Sequence, residues 1–371
     1  MKTPIAVYQY SYLPLSETFI YRQLQGLAQR FEVKLYSMGL ENLELFPGFS
    51  PIVVPKKSIL ERLSSKYTTI TFTPTRKRFI VNLLKDVKLL YVNFGHMALS
   101  MQEMAADAGI PLVCFFHGVD ASTYLQDKNY VGEYAKANFD TVFTNSENMK
   151  QRLAPYLKTE TRINVVRYGV DPQKFPFVLR TSVPKGTKFL QISRLDYKKG
   201  VDITLNVVAR YLREVDPAVT LTIAGDGPLR RQLEMLCTTL GISPSVRFLG
   251  KVNQAKVLAL LHESHVLLQH SVVAPDGDME GVPNVIIEAM ACGLPVVSTY
   301  HSGIPELITN GVDGLLVHER DGERYFQALV SLLTIDIKNI SRNARRTIEE
   351  KFNLEKNNIK LCDAVDDIIT S

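Results

Sequence analysis

Short runs of β-branched and aromatic residues, bounded by turn residues, alternate with longer stretches of helical period along almost the whole chain, and this limits the fold more than any other feature. Parallel strands need a crossover of a dozen or more residues, usually a helix, so the alternation predicts βαβ units and a mainly parallel sheet. The first series of strand candidates is Ile5–Gln9, Val33–Ser37, Leu89–Asn93, Leu112–Phe116, Thr141–Asn145 and Asn164–Arg167. Residues 171 to 188 break the series with Pro172, Pro176 and Pro184 and no clear period, which predicts a domain linker. A second series follows: Lys188–Ser193, Val219–Ala224, Val246–Gly250, Val266–Gln269, Pro295–Thr299 and Leu315–Val317, separated by helical stretches such as Val201–Val215. A length of 371 residues exceeds what one core usually holds. The expectation is therefore an α/β chain with two Rossmann-like domains, residues 1–175 and 185–350. A helical tail over 351–371 is a candidate to pack back on the first domain, since Ser341 to Ile369 reads as one or two amphipathic helices.

With 46% hydrophobic and 22% charged residues the composition excludes disordered and fibrous classes. No apolar run reaches the roughly 18 to 20 residues of a membrane span, and the first residues lack the apolar core of a signal peptide, so a cytoplasmic chain is expected. Cys114, Cys237, Cys292 and Cys362 lie far apart with no C-x-x-C, which predicts buried thiols in a reducing compartment rather than a zinc site. Charge is uneven. Residues 1 to 180 carry 22 basic and 15 acidic side chains, the remainder 21 and 23. Most of the excess lies in residues 56–88, where Lys56, Lys57, Arg62, Lys66, Arg76, Lys77, Arg78, Lys85 and Lys88 meet only Glu61 and Asp86. This segment reads either as a solvated face or as a surface for an anionic membrane or phosphorylated acceptor, in which case the protein is peripheral at the inner membrane face. No nucleic-acid-reading motif accompanies it.

Neither half contains a G-x-G-x-x-G: Gly225-Asp226-Gly227-Pro228 has Arg230 where the third glycine would fall, which argues against a nicotinamide or flavin fingerprint. The most informative stretch runs from Glu280 to Pro295. Pro283 suits a first helical position, Gly293 a C′ cap, and Pro295 a stop before a buried strand, so a helix is predicted to start near Asn284. Backbone N–H groups at such a start form an anion site suited to a diphosphate. Glu288, one turn in, is then placed to reach sugar hydroxyls, and Glu280 to accept from another sugar. Local physics leaves open the alternative of a capped helix with two surface glutamates.

Glu280 and Glu288, with seven residues between them and followed by Ala289-Met290-Ala291 and Gly293-Leu294-Pro295-Val296-Val297-Ser298-Thr299, resemble the signature of the retaining GT-B glycosyltransferases of family 4. Ser193-Arg194-Leu195 with Lys199-Gly200 resembles the family's G-R-L…K-G loop, with Ser193 in place of the usual glycine. Ile223 to Leu229 and Gly303-Ile304-Pro305-Glu306-Leu307-Ile308 match as well, so the resemblance spans about residues 110 to 320. Ser16-Glu17-Thr18-Phe19-Ile20 and Asp276 to Gly281 resemble the branch that builds exopolysaccharides such as colanic acid.

The resemblance implies a GT-B fold, with two Rossmann-like domains facing each other across a cleft. It implies transfer of a hexose or hexosamine from a nucleotide diphosphate sugar to a hydroxyl of a glycan or lipid-linked acceptor, with no metal or other cofactor and a UDP-sugar favoured over a GDP-sugar. By the same resemblance Arg194 and Lys199 hold the donor diphosphate, Glu288 the ribose and Glu280 the transferred sugar. Gly281, Val282, Asn284 and Val285 lie against phosphate or sugar, Gly250 and Val252 meet the base, and His117 lies over the donor sugar. Ser16, Glu17, Thr18, Asp120 and Asp278 are candidates for the acceptor or sugar side. The glycine-rich loop that many relatives carry after the first strand is replaced here by Tyr10 to Thr18, where Ser16, Glu17 and Thr18 stand in at a helix N-terminus. Asp276-Gly277-Asp278 also reads as a D-x-D metal motif of the other large glycosyltransferase fold. A nucleotide-sugar epimerase or phosphorylase, or a non-catalytic sugar-nucleotide-binding protein, are the alternative functions.

Overall fold

A computed structural model describes residues 1–12, 17–54 and 73–371, so Ser16 and the basic residues Lys56, Lys57, Arg62 and Lys66 lie outside the described part. The chain divides into two compact units, residues 1–167 with 354–371, and residues 168–353.

The first unit runs β1 (Pro4–Tyr12), α1 (Thr18–Arg30), β2 (Glu32–Leu40), β3 (Ile52–Val53), α2 (Pro74–Leu84), β4 (Leu90–Asn93), α3 (Gly95–Ala108), β5 (Leu112–Phe115), α4 (Lys128–Lys136), β6 (Thr141–Thr144), α5 (Glu147–Leu153) and β7 (Arg162–Val165). Its seven strands are ordered β3-β2-β1-β4-β5-β6-β7, every described pair parallel. All four residues of β4, β5 and β6 are buried, as a sheet covered by helices on both faces requires. β3 is two residues long, too short to leave a period, and was not expected.

The second unit holds β8 (Lys188–Ile192), α6 (Val201–Glu214), β9 (Thr220–Ala224), α7 (Arg230–Thr239), β10 (Val246–Phe248), α8 (Gln254–Glu263), β11 (Val266–Gln269), α9 (Asn284–Ala291), β12 (Val296–Thr299), α10 (Ile304–Leu307), β13 (Leu315–Val317), α11 (Gly322–Ser331) and α12 (Ile337–Lys351). The order β10-β9-β8-β11-β12-β13 is again parallel throughout. Helix starts follow side-chain chemistry: Asn253 accepts from the Lys256 N–H at 2.9 Å and Asp336 from Asn339 at 3.0 Å, each satisfying an orphan donor.

Two expected boundaries are corrected. Residues 168–175, assigned above to the first domain, and the proline-rich stretch taken as a linker belong to the second unit. The Arg345 guanidinium donates to the carbonyls of Phe175 and Ala291 at 2.8 Å and of Pro172 at 3.2 Å, so this aperiodic backbone is satisfied by a side chain instead of a ladder. Pro283 is the N-cap of α9 rather than its first helical residue, with φ −65° and ψ 122°. The last helix, α13 (Leu354–Thr370), lies against α1 in the first unit. Gly26 permits the approach, since a Cβ there would fall 2.3 Å from the Asn358 side chain, and Arg30 pairs with Asp363 and Asp366 at 2.5 and 2.8 Å.

All four cysteines are free and buried. Among the described residues no helix is long and apolar enough to cross a membrane.

Candidate active site

The carboxyl edge of a parallel sheet is where open α/β folds bind ligands, and the second unit gathers its charge there. β8 ends in a loop, Ser193 to Gly200, held from two sides: Gln191 Nε2 donates to the Lys199 carbonyl at 3.0 Å, and the Val272 N–H donates to the Lys198 carbonyl at 2.9 Å. Gly200 takes φ 53°, and a Cβ there would lie 2.1 Å from the His270 carbonyl oxygen, so only glycine allows the two loops to touch. With its backbone fixed, Lys199 Nζ reaches Glu280 Oε1 at 2.7 Å. Lys198 Nζ lies 2.8 Å from Asp278 Oδ2 and 3.5 Å from Glu280 Oε1.

The cluster is largely enclosed. Burial works against the Glu280 carboxylate, but Lys199 and Lys198 outweigh it and hold the group at about 2. Burial likewise opposes the Lys198 ammonium, and Glu280 and Asp278 keep it above the usual lysine range. Asp278 is thus paired with a protein cation, and among the described residues no group of three or more His, Cys, Asp or Glu side chains could hold a metal ion.

The other candidates of this unit are distributed around that cluster. Arg194 follows β8 and points outward, 72% exposed, with Nε 3.6 Å from Asp196. Glu288 is buried in α9 and accepts from Gln254 Nε2 at 3.3 Å. Val282 is buried and Gly281, Asn284 and Val285 are half-buried at the start of α9, where Asn284 Oδ1 is enclosed without a hydrogen-bond partner. Gly250, at φ 70°, gives its carbonyl to the Gly225 N–H at 2.8 Å, with half-buried Val252 just beyond.

Three participants were not singled out from sequence. Lys198 had a signal in standing next to Lys199. His301 and Glu319 had none. His301 is fully buried beyond β12, its Nε2 accepts the Glu280 N–H at 3.0 Å, and its Nδ1 lies 2.6 Å from Glu319 Oε1. Glu319 Oε2 in turn accepts the Val273 N–H at 2.8 Å.

In the first unit His117 follows β5, 3% exposed, its ring stacked on Phe115 with centroids 5.0 Å apart and its Nε2 3.1 Å from Asn93 Oδ1. Burial lowers this imidazole to about 4, against the opposing charge of Asp120. Asp120, a candidate above for the acceptor or sugar side, is tied into the framework. It is fully buried, and its oxygens accept the Gly95 N–H at 2.9 Å and the His117 N–H at 2.8 Å, joining the start of α3 to the loop after β5.

Glu17 is the N-cap residue of α1 but its side chain does not cap; it accepts from Gln9 Nε2 at 2.9 Å. Burial and the nearby Glu41 push that carboxyl up to about 7. It lines a cleft of about 220 Å³ with Gln9, Tyr10, Phe94 and His96, and Thr18 opens the helix beside it. Of the described basic segment, Arg76 is corrected to a buried residue beside Met38, and Lys77 is paired with Glu103 and Asp107 at 3.1 Å, which leaves Arg78, Lys85 and Lys88 as its exposed cations.

Two parallel-sheet units with a charged cluster at a carboxyl edge fit the GT-B architecture, and the comparisons supply the glycosyltransferase class. Residues 180–350 match the family described as glycosyl transferases group 1, and residues 16–174 match glycosyltransferase family 4. The chain belongs to the family 4 glycosyltransferases. It is 32% identical over 278 residues to the amylovoran biosynthesis glycosyltransferase AmsK of Erwinia amylovora, covering 72% of this chain and 67% of that protein. It is also 32% identical over 272 residues to the putative colanic acid biosynthesis glycosyltransferase WcaL of Escherichia coli K12, covering 72% and 66%. The matched region thus spans about two thirds of these relatives. In fold, the chain resembles the crystal structure of Anabaena Alr3699/HepE in complex with UDP-glucose, with a TM-score of 0.79 and 20% identity over 98% of this chain and 99% of that one.

Proposed function

We propose that the chain is a retaining glycosyltransferase that moves a hexose or hexosamine from a nucleotide diphosphate sugar, UDP favoured over GDP, to a hydroxyl of a glycan or lipid-linked glycan in exopolysaccharide assembly. The observation that carries the reading is the pairing of Lys199 with Glu280 at the carboxyl edge of the second sheet, beside the N-terminus of α9. A diphosphate arriving there meets Lys199, Arg194 and the positive end of the helix dipole, which offset the charge that grows as the nucleotide leaves. Glu280 accepts from hydroxyls of the transferred sugar and Glu288 from the ribose. The bond from the anomeric carbon to the diphosphate oxygen breaks, the acceptor oxygen bonds the same carbon from the same face, and its proton passes to the departing diphosphate. Protein cations supply the compensation, so no metal is required.

The UDP preference is supported by the solved relative bound to UDP-glucose, and the polymer class by the names of the two relatives above. The test is a panel of UDP- and GDP-sugars with lipid-linked glycan acceptors in excess chelator, with release of nucleotide diphosphate and the anomeric configuration of the product as readouts. Transfer that stops with chelator and returns with Mn²⁺, or an inverted product, overturns the reading. The acceptor is proposed to lie at an anionic membrane surface met by Arg78, Lys85 and Lys88. Retention on anionic vesicles should then fall with salt, as the Debye length shortens from about 10 Å at 0.1 M to about 3 Å at 1 M; retention insensitive to both salt and lipid charge refutes it.

A further inference from the structure

We infer that His301, oriented by Glu319, is the positioning residue that sets the Glu280 carboxylate against Lys199 and the transferred sugar; this rests on the reading of Glu280 as the sugar-binding carboxylate. The Glu280 N–H donates to His301 Nε2 at 3.0 Å, so Nε2 carries a lone pair and the ring proton is on Nδ1. Nδ1–H then donates to Glu319 Oε1 at 2.6 Å, a charge-assisted bond that fixes both the tautomer and the ring plane. The same carboxylate accepts the Val273 N–H through its other oxygen at 2.8 Å. One imidazole–carboxylate pair therefore anchors both ends of the loop from Val273 to Glu280, which carries Asp278 and Glu280.

His301 is fully buried and its hydrogen bond to Glu280 is made to the backbone N–H, so it positions the carboxylate through the main chain. The arrangement follows the rule by which second-layer partners orient the groups that meet a ligand. It also separates the two halves of donor recognition: the loop bearing Lys199 is held by Gln191 and Val272, whereas the loop bearing Glu280 is held by His301 and Glu319. Loss of His301 should disturb sugar placement and leave diphosphate binding in place.

The experiment compares wild type with His301→Ala, His301→Gln, Glu280→Ala and the His301→Ala/Glu280→Ala pair. Three quantities are read: amide hydrogen exchange over residues 273–281, Kd for UDP by calorimetry, and kcat and KM for UDP release from UDP-glucose. In His301→Ala the loop amides should exchange at least about tenfold faster. UDP Kd should stay within about twofold while kcat falls about 100-fold, the usual cost of an ångström-scale misplacement. His301→Gln, whose Oε1 can accept the same N–H, should recover about tenfold of that loss. In the Glu280→Ala background His301→Ala should cost less than about twofold.

Unchanged exchange overturns the inference, as does an equal loss of UDP affinity and kcat, a Gln variant no better than Ala, or a full cost in the double variant. If His301→Ala does not fold, exchange and kinetics of His301→Gln and Glu319→Gln decide instead. If the wild type turns over no sugar of the UDP- and GDP-sugar panel although the loop exchange responds as stated, the donor reading fails and the positioning of Glu280 by His301 stands.

Discussion

Replacing Glu280 by Gln tests the electrostatics of the site most directly. The carboxyl is held at about 2 from an ordinary 4.5 because Lys199 and Lys198 overcome the cost of burial. At 1.36 kcal/mol per unit the depression corresponds to about 3 kcal/mol of stability at neutral pH. The sign is set by a folded-state value below the unfolded one. The contribution is complete above about pH 4.5, where the unfolded chain is already ionised, and it fades as pH falls towards about 2, where the folded chain takes up its proton. Gln keeps the shape but removes the charge: it takes from Lys199 the carboxylate at 2.7 Å and leaves Lys198 with Asp278 at 2.8 Å.

Wild type and Glu280→Gln should be unfolded by denaturant from about pH 7 to pH 3, following the transition that releases the amides of residues 273–281, since a chain of two units need not unfold in one step. The difference in unfolding free energy should be about 3 kcal/mol at pH 7 and shrink by roughly 2 kcal/mol at pH 3. A difference that stays constant over this range, or a variant more stable than wild type at pH 7, refutes the reasoning: the former means that Glu280 is not ionised against Lys199, the latter that burying the cluster costs more than its attraction returns.

Glu288→Ala should weaken binding of free UDP by about 1 to 3 kcal/mol, the loss expected for charge-assisted hydrogen bonds, and calorimetry with an unchanged Kd would remove Glu288 from the ribose. His117, lowered to about 4 by burial, should be neutral at working pH. Its contribution to stability should therefore be complete above about pH 6.5 and fall as pH drops through about 4, so the stability gap between wild type and His117→Gln should narrow over that interval; a gap independent of pH contradicts the buried neutral ring.

Twelve strands and the helical tail were legible because their signals are local. Period, turn residues and β-branched runs lie within a few neighbours, and strands such as β4 and β11, all of whose residues are buried, read as apolar runs closed by one polar residue, Asn93 and Gln269. β3 was missed because two residues carry no period. The proline-rich stretch from 171 read as a linker because its order comes from Arg345, more than 160 residues away, which no window can see.

The site divides in the same way. Spacing within one segment put Glu280 and Glu288 at a helix start, with a capped helix and two surface glutamates as the alternative, whereas Arg194 and Lys199 were singled out by the resemblance of their loop to the family's. Which of these groups meet was decided by the tertiary structure alone. Lys199 and Glu280 are 81 positions apart and come within 2.7 Å only because parallel strands deliver both loops to one sheet edge. The same delivery brings Lys198 to Asp278 of the D-x-D stretch, and in the first unit the fold buries Asp120 beneath backbone amides. It also places His301 and Glu319 behind Glu280. Charge, burial and tautomer are set by what surrounds an atom in space, and a linear sequence specifies those surroundings only through the fold.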